Sequence, residues 1–538
     1  MRHKSLMLLA GVMFATGSTS AIAQDGDGGS SRNLVIQPYI EVAQVLSVEL
    51  SPGDNVVTYT QLAAGVDVSA TGRNSGGSVS VRYQRNIGYG DRVDSDTISG
   101  IARGYVALVP QTLNFEAGAL ASTTRVDGTG AVSPNALAVK DATGQIYSLY
   151  AGPTVNTQVG AVAVTANARV GYNRFETDSP TISPDGRVID VFDDSVTYAG
   201  QVRAAIRAGD SFPVGLAATA GFYQEDISNL DQRIRDAYVR ADVTVPVSES
   251  LAVVAGVGYE DVEVSSRDAV RDATGAPILG QDGRFVTDTS SPRTIAFDVD
   301  GLLWDVGIMW RPSSRTSLAA RVGRRYDSTT YYGSFSYQPN ARASLNVNVY
   351  DGITGFGGRL NNALAALDTD FEALRNPVTG ELNGLVTGTE GTGLVNSLGS
   401  VRSSAFRGRG VNASYSYRMG RLNAAIGAGY DRREFIGAEG TVLEAADGVT
   451  DESIYIAGAV SRDLGSNANI AANAYVAKFN SGAGGFDSRG YGASLAYARA
   501  FTEKLQGRAA AAMDVIDSDL SAEDFAAASA LLGLRYSF

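Results

Sequence analysis

Apolar and polar residues alternate one by one through much of this chain. SVSVRYQR sets Val79, Val81 and Tyr83 on one side and Ser78, Ser80, Arg82 and Gln84 on the other. VAVTANARVGYN sets Val162, Val164, Ala166, Ala168, Val170 and Tyr172 against Ala163, Thr165, Asn167, Arg169, Gly171 and Asn173. AYVRADVTV repeats the pattern with Val239, Val243 and Val245 opposite Arg240, Asp242 and Thr244, as do SLNVNVY (344–350) and VNASYSYR (411–418). A period of two is that of a strand with a different solvent on each face. Strands are expected to begin near 34, 55, 77, 96, 111, 145, 159, 195, 212, 234, 250 and 293, and then near 315, 330, 342, 403, 420, 452, 467, 487, 503 and 525. Joints after even-numbered strands are tight, as in PQ (110–111), SES (248–250), MG (419–420) and GS (465–466). Every long joint, at 127–144, 177–194, 266–292, 351–402 and 437–451, follows an odd-numbered strand. A soluble sandwich would not confine its long loops to one end. The pattern predicts an all-β protein, a transmembrane antiparallel up-and-down β-barrel of about 22 strands, within roughly 18 to 24, with short periplasmic turns and long extracellular loops.

The last eight residues, LLGLRYSF, place Phe538, Tyr536, Leu534 and Leu532 on one face. Leu531 alone breaks the polar or small character of the other face. This stretch resembles the closing strand of bacterial outer-membrane β-barrels, which implies that the barrel-assembly machinery reads it. At the other end, Arg2, His3 and Lys4 precede an apolar run from Leu6 to Ala15 and an Ala21-Ile22-Ala23 site. These are the parts of a cleaved signal peptide over 1–23. Residues 24–33, QDGDGGSSRN, then read as a flexible periplasmic tail, and 34–538 as the barrel. The expected strand number resembles that of TonB-dependent transporters. Those carry a folded N-terminal plug, for which ten residues are too few, and that family is set aside. The opening IQPYIEVAQVLSVELSPGDNVVTYTQLAAGVDVSATG, with VSVRYQRNIGY after it, resembles barrels found beside exopolysaccharide-export (PEP-CTERM-associated) systems. That resemblance implies a role with surface polysaccharide and transfers no functional residue.

Composition removes whole classes of chemistry. The chain has no Cys, and its single His is His3, in the leader. Thiol nucleophiles, Ser-His-Asp hydrolysis and His-ligated zinc are thereby excluded, no spacing suggests a carboxylate-pair or Ser/Lys enzyme, and no cofactor or metal is expected, a weak calcium site at Asp25 and Asp27 being the remote alternative for the tail. The formal charge is −13; loss of Arg2 and Lys4 with the leader makes it −15, which argues against a nucleic-acid partner. No apolar run after the leader is long enough for a membrane helix. Acidic outer loops such as Asp190–Ser195 read as solvated charge, with divalent cations bridging lipopolysaccharide as the sharper reading.

A barrel this wide has a large lumen. The loop over 351–402 contains LNNALAALDTDFEALRN, in which Leu360, Leu364, Leu367, Phe371 and Leu374 fall on one helical stripe. An external cap packed on the other loops is the plainer expectation, and a fold-in constriction the alternative. Inward phase also collects Arg82, Arg169, Arg203, Arg207, Arg240, Arg321 and Arg535 as candidate lumen-lining residues. Four Lys among 44 basic residues leave 40 Arg, so Arg is the cation of the whole chain. Such a lining would either guide an anionic solute or pair with inward acids such as Asp67, Asp242 and Asp305. The sequence therefore predicts a porin-like channel for small solutes or exported polysaccharide, with a structural or adhesive barrel of closed lumen as the alternative. Its expected surroundings are outer-membrane lipid and lipopolysaccharide.

Overall fold

The computed structural model describes residues 33–53, 55–89, 94–126, 132–133, 143–177, 181–182, 188–387, 400–482, 487–519 and 524–538. The expected signal peptide and nearly all of the expected tail lie outside them. Twenty-two barrel strands follow one another. They are β1 (Asn33–Ser51), β2 (Val56–Thr71), β3 (Ser75–Gly88), β4 (Ser95–Val109), β5 (Leu113–Val126), β6 (Thr143–Val159), β7 (Val162–Thr177) and β8 (Asp194–Ile206). Next come β9 (Gly215–Ile227), β10 (Gln232–Pro246), β11 (Leu251–Ser266), β12 (Thr294–Ser313), β13 (Thr316–Arg325), β14 (Ser328–Asn340) and β15 (Ala343–Thr354). The series closes with β16 (Phe406–Met419), β17 (Leu422–Phe435), β18 (Thr450–Asp463), β19 (Ala468–Asn480), β20 (Asp487–Ala500), β21 (Leu505–Ser518) and β22 (Phe525–Ser537). Each pairs antiparallel with its neighbours in the chain, and β1 pairs with β22 from Tyr39 opposite Ser537 to Ser51 opposite Ala526. The ring is closed, so the sheet has no free edge. Joints after even strands are short, the longest being 207–214, and the long ones all lie at the other end.

The exterior carries the apolar half of the alternation. Leu302, Trp304, Val306, Ile308 and Trp310 point outward from β12, and Leu532, Leu534, Tyr536 and Phe538 from the C-terminal end. Leu532 is 70% exposed and Leu302 65%. Each such side chain forgoes about 1.5–3 kcal/mol of burial if left in water, and a continuous belt of them suits lipid. Outward aromatics gather at both rims. Tyr105, Phe115, Trp310, Tyr337, Phe501 and Tyr536 stand near the short turns, and Tyr83, Tyr198, Tyr259, Tyr331 and Tyr491 nearer the long loops. Amphipathic rings favour the boundary between hydrocarbon and water.

Leu531 points the other way. It is fully buried in a cluster with Ala43, Val45, Tyr59, Ala512 and Val378. Val378 belongs to the insert between β15 and β16, so the residue that broke the pattern of the last strand marks where that insert touches the wall.

The barrel closes through β22, and the Tyr536 and Phe538 rings meet edge to face at 5.2 Å just beyond the last pairs. The Phe538 N–H also donates to the Pro38 carbonyl at 3.2 Å. Deleting Phe538 is expected to lower the amount of heat-modifiable barrel in the membrane fraction several-fold. Unchanged amounts on semi-native gels would contradict this.

Candidate functional site

The insert leaves β15 at the long-loop end and runs into the lumen, so it is not the external cap that its sequence favoured. Helix α1 (Phe356–Ala365) packs against the inner faces of β5 to β8, across the ring from β15 where it begins. Its first turn is held by Glu225 of β9. One carboxylate oxygen accepts the Gly355 N–H at 2.7 Å and the other the Gly358 N–H at 2.9 Å. Tyr223 donates to the same carboxylate at 2.7 Å. A carboxylate at a helix N-terminus satisfies orphan N–H groups and complements the positive end of the helix dipole. Contact this close requires glycine. A Cβ on Gly357 would lie 2.0 Å from the Ser195 Oγ, and one on Gly358 1.7 Å from the Tyr223 hydroxyl.

Leu360 and Leu364 are fully buried from the helix. The helix stops at Ala365 instead of running on to Leu374, because Asp368-Thr369-Asp370 favours side-chain bonding to turn backbone over helix. Leu367 and Phe371 leave the turn and still join the same apolar cluster, with Ile101, Leu120, Ile146 and Phe175 of the wall. Leu374 does not: it comes from a short ribbon (Glu372–Arg375 with Leu382–Thr387) and packs near Tyr455, Ala457 and Tyr475 of β18 and β19. The five residues are therefore one helical pair, two turn residues and one ribbon residue.

Polar contacts fix the tip of the insert low in the lumen. Ser78 donates to the Thr369 carbonyl at 2.9 Å and Gln61 to the Val378 carbonyl at 3.2 Å. Arg375 reaches the Ser99 hydroxyl at 2.7 Å and the Ser80 hydroxyl at 3.1 Å. Glu381 is buried and accepts the Thr123 N–H at 3.4 Å; burial pushes its carboxyl above the usual range. On the helix, Arg359 pairs with Asp431 of β17 at 3.1 Å and lies 3.9 Å from the centroid of the Tyr350 ring.

The long loops cover this assembly. Phe192 meets Phe356 at 5.1 Å between ring centroids, and Arg284 donates to the Phe175, Val191 and Phe192 carbonyls. Asp190 is a tie between loops and not a solvated charge. It accepts from Asn229 and Ser403, and burial pushes its carboxyl up.

Six of the seven arginines assigned to the lumen stand on the inner wall, each paired with an acid. Arg82 meets Glu41 at 3.2 Å with both side chains buried, and Arg508 shares the same carboxylate at 2.6 Å. Arg240 and Arg321 are each within 3.0 Å of both Asp242 and Asp305, and Arg203 joins Asp242 at 3.4 Å. Arg169 faces Glu116 at 3.8 Å, and Arg535 faces Asp67 at 3.2 Å. Arg207 is the exception: β8 ends at Ile206, so it falls in the following turn and is exposed. The paired guanidiniums present no ladder of free cations.

Beside the insert, toward β14–β20, lies a cavity of about 250 Å³. It is lined by Leu374 and Pro377 and by small wall residues such as Ser344, Ser416, Ala425, Ala459 and Asn473. Sequence reasoning missed Glu225, Glu41 and Arg375. Glu225 and Glu41 stand in inward phase, which was a usable signal; Arg375, in a loop, had none.

No protein-family model matches the chain, and no curated protein matches it. Solved structures with a similar chain path include the FrpB iron transporter of Neisseria meningitidis, at 11% identity, covering 93% of this chain and 82% of that one with a TM-score of 0.45. Another is the ferric-catecholate import receptor Fiu of E. coli in its open form, at 10% identity, 93% and 81% coverage and a TM-score of 0.43. A third is the copper transporter OprC, at 13% identity, 94% and 80% coverage and a TM-score of 0.40. No residue role is carried over from them.

Removing the helix anchors should loosen the insert without opening the ring. Leu364→Ala deletes a fully buried side chain, a change that costs about 2–5 kcal/mol in a packed core. Together with Glu225→Ala it is expected to raise tryptic cleavage after Arg359 and Arg375 at least tenfold while the barrel stays heat-modifiable. Wild-type protection in the double variant would contradict the docking.

Proposed function

We propose that the protein is an outer-membrane conduit for small solutes, held closed by its own insert. The observation that carries this reading is the Glu225 carboxylate of β9 gripping the start of α1 just where the insert leaves β15. It supports an insert held in the lumen, packed mainly on β4–β9 and touching β17–β19 and the β22–β1 closure through Arg359, Leu374 and Val378. The side toward β14–β20 keeps a cavity of about 250 Å³ whose wall is mostly Ala, Ser and Asn. Small neutral side chains leave room for a solute and bind none tightly, as a path requires. A compartment of that size favours small solutes over an exported polysaccharide, which the resemblance of the opening strands keeps as the runner-up cargo. The two aromatic rims and the lipid-facing belt support the outer membrane as the site of action, with lipopolysaccharide around the long loops. The exposed Leu532, Leu534, Tyr536 and Phe538 face supports recognition of β22 by the assembly machinery.

A second reading is a structural barrel whose lumen never opens. It is favoured by the number of anchors on the insert, from Arg359–Asp431 to Arg375 and Val378. Planar-bilayer recording separates the two. The full chain is expected to show low or flickering conductance, and the chain lacking Gly357–Ser400 a large steady one, with Glu225→Ala between them. Silence from all three proteins, each shown to be folded and inserted, would overturn the conduit and leave the structural barrel.

A further inference from the structure

Near the short-turn end of the lumen, a second cavity of about 180 Å³ lies between the insert tip and the wall. Arg82, Arg375, Arg508 and Arg535 all line it, with Asp67, Tyr39 and Asn376 among the other lining residues. Elsewhere on the wall the guanidiniums described above each reach a carboxylate. Here four guanidiniums meet two paired carboxylates, Glu41 and Asp67, with Glu381 next in the chain to the lining Gly380. Arg375 bonds only neutral oxygens, those of Ser80, Ser99 and Gly380, and no carboxylate of the described residues lies within salt-bridge distance of it. Arg508 and Arg535 each spend one terminal nitrogen on their acid, by way of Glu41 and Asp67, and an arginine has five N–H donors. Arg535 is held in place by stacking 3.6 Å from the centroid of the Tyr39 ring. Planar donors fixed in this way, inside a half-enclosed cavity, suit an oxyanion that accepts paired hydrogen bonds.

We propose that this cavity binds a small dianion, a phosphate or a dicarboxylate, between Arg508 and Arg535 of the wall and Arg375 of the insert. The bound anion supplies the counter-charge that Arg375 lacks and bridges the insert to the wall. The inference extends the conduit reading by naming a class of solute, yet binding needs only the docked insert and not conduction.

Isothermal titration of the full-length barrel in detergent with inorganic phosphate, succinate and glucose tests it. Saturable one-site binding of phosphate or succinate is expected, with none for glucose. Arg535→Gln and Arg508→Gln, checked for heat-modifiability, should weaken it at least tenfold. Asp67→Asn frees Arg535 from its acid and should tighten it several-fold, a gain that misfolding cannot imitate. No saturable binding of either anion at millimolar concentration overturns the site, as does affinity unchanged across all three variants. If the deletion of Gly357–Ser400 opens the channel while no anion binds, only the site falls; if anions bind and no protein conducts, only the conduit falls.

Discussion

Closing 22 strands into one ring pairs every strand on both sides but leaves a lumen wider than its own side chains can fill. Everything inside answers to that width. Inward acids and arginines find one another between strands at one height, as Arg240 and Arg321 do with Asp242 and Asp305. Where neighbours on the wall cannot meet the need, the insert does. Ile101, Leu120, Ile146 and Phe175 are apolar residues on the inner face, and they are buried in one cluster with α1 and the turn after it.

Apolar and charged anchors do different work. The buried leucines and Phe356 supply attraction, about 1.5–3 kcal/mol for each large side chain removed from water. The Arg359–Asp431 pair and the Glu225 cap add less in net terms, since desolvation offsets much of the gain. Their contribution is position: breaking either leaves a buried polar group unpartnered, so the insert has one register in the lumen. Most of the apolar attraction lies along β4 to β7, while toward β14–β20 the insert leaves a cavity lined largely by Ala, Ser and Asn. A conduit reading grows from that asymmetry.

Much of this was legible along the chain. Each of the 22 expected strand starts falls within three residues of a barrel strand's first residue, because period-two alternation is continuous where one face meets lipid and the other a polar interior. The inward phase of Arg82, Arg169, Arg203, Arg240, Arg321 and Arg535 followed from the same count, while Arg207 lay one residue past the end of its strand. The insert was harder. Its apolar residues announced burial but not against what, since an outer loop and an inner wall offer the same hydrophobic partner. The clues lay elsewhere, in Leu531, Ile146 and Phe175, each apolar where the wall should be polar. Glu225 reads as another inward acid until the Gly355–Gly358 backbone is brought to it from the end of β15.

The central claim is that the insert lies inside the barrel with its tip against the wall. The chain contains no Cys, so single cysteines report without background. Val378→Cys should stay unreactive toward a membrane-impermeant maleimide, both on intact cells and in detergent, because Val378 is fully buried against Leu531. Ala273→Cys, on an exposed outer loop, should label completely under the same conditions. Labelling of Val378→Cys as fast as Ala273→Cys on intact cells would place the insert outside the lumen and contradict the account.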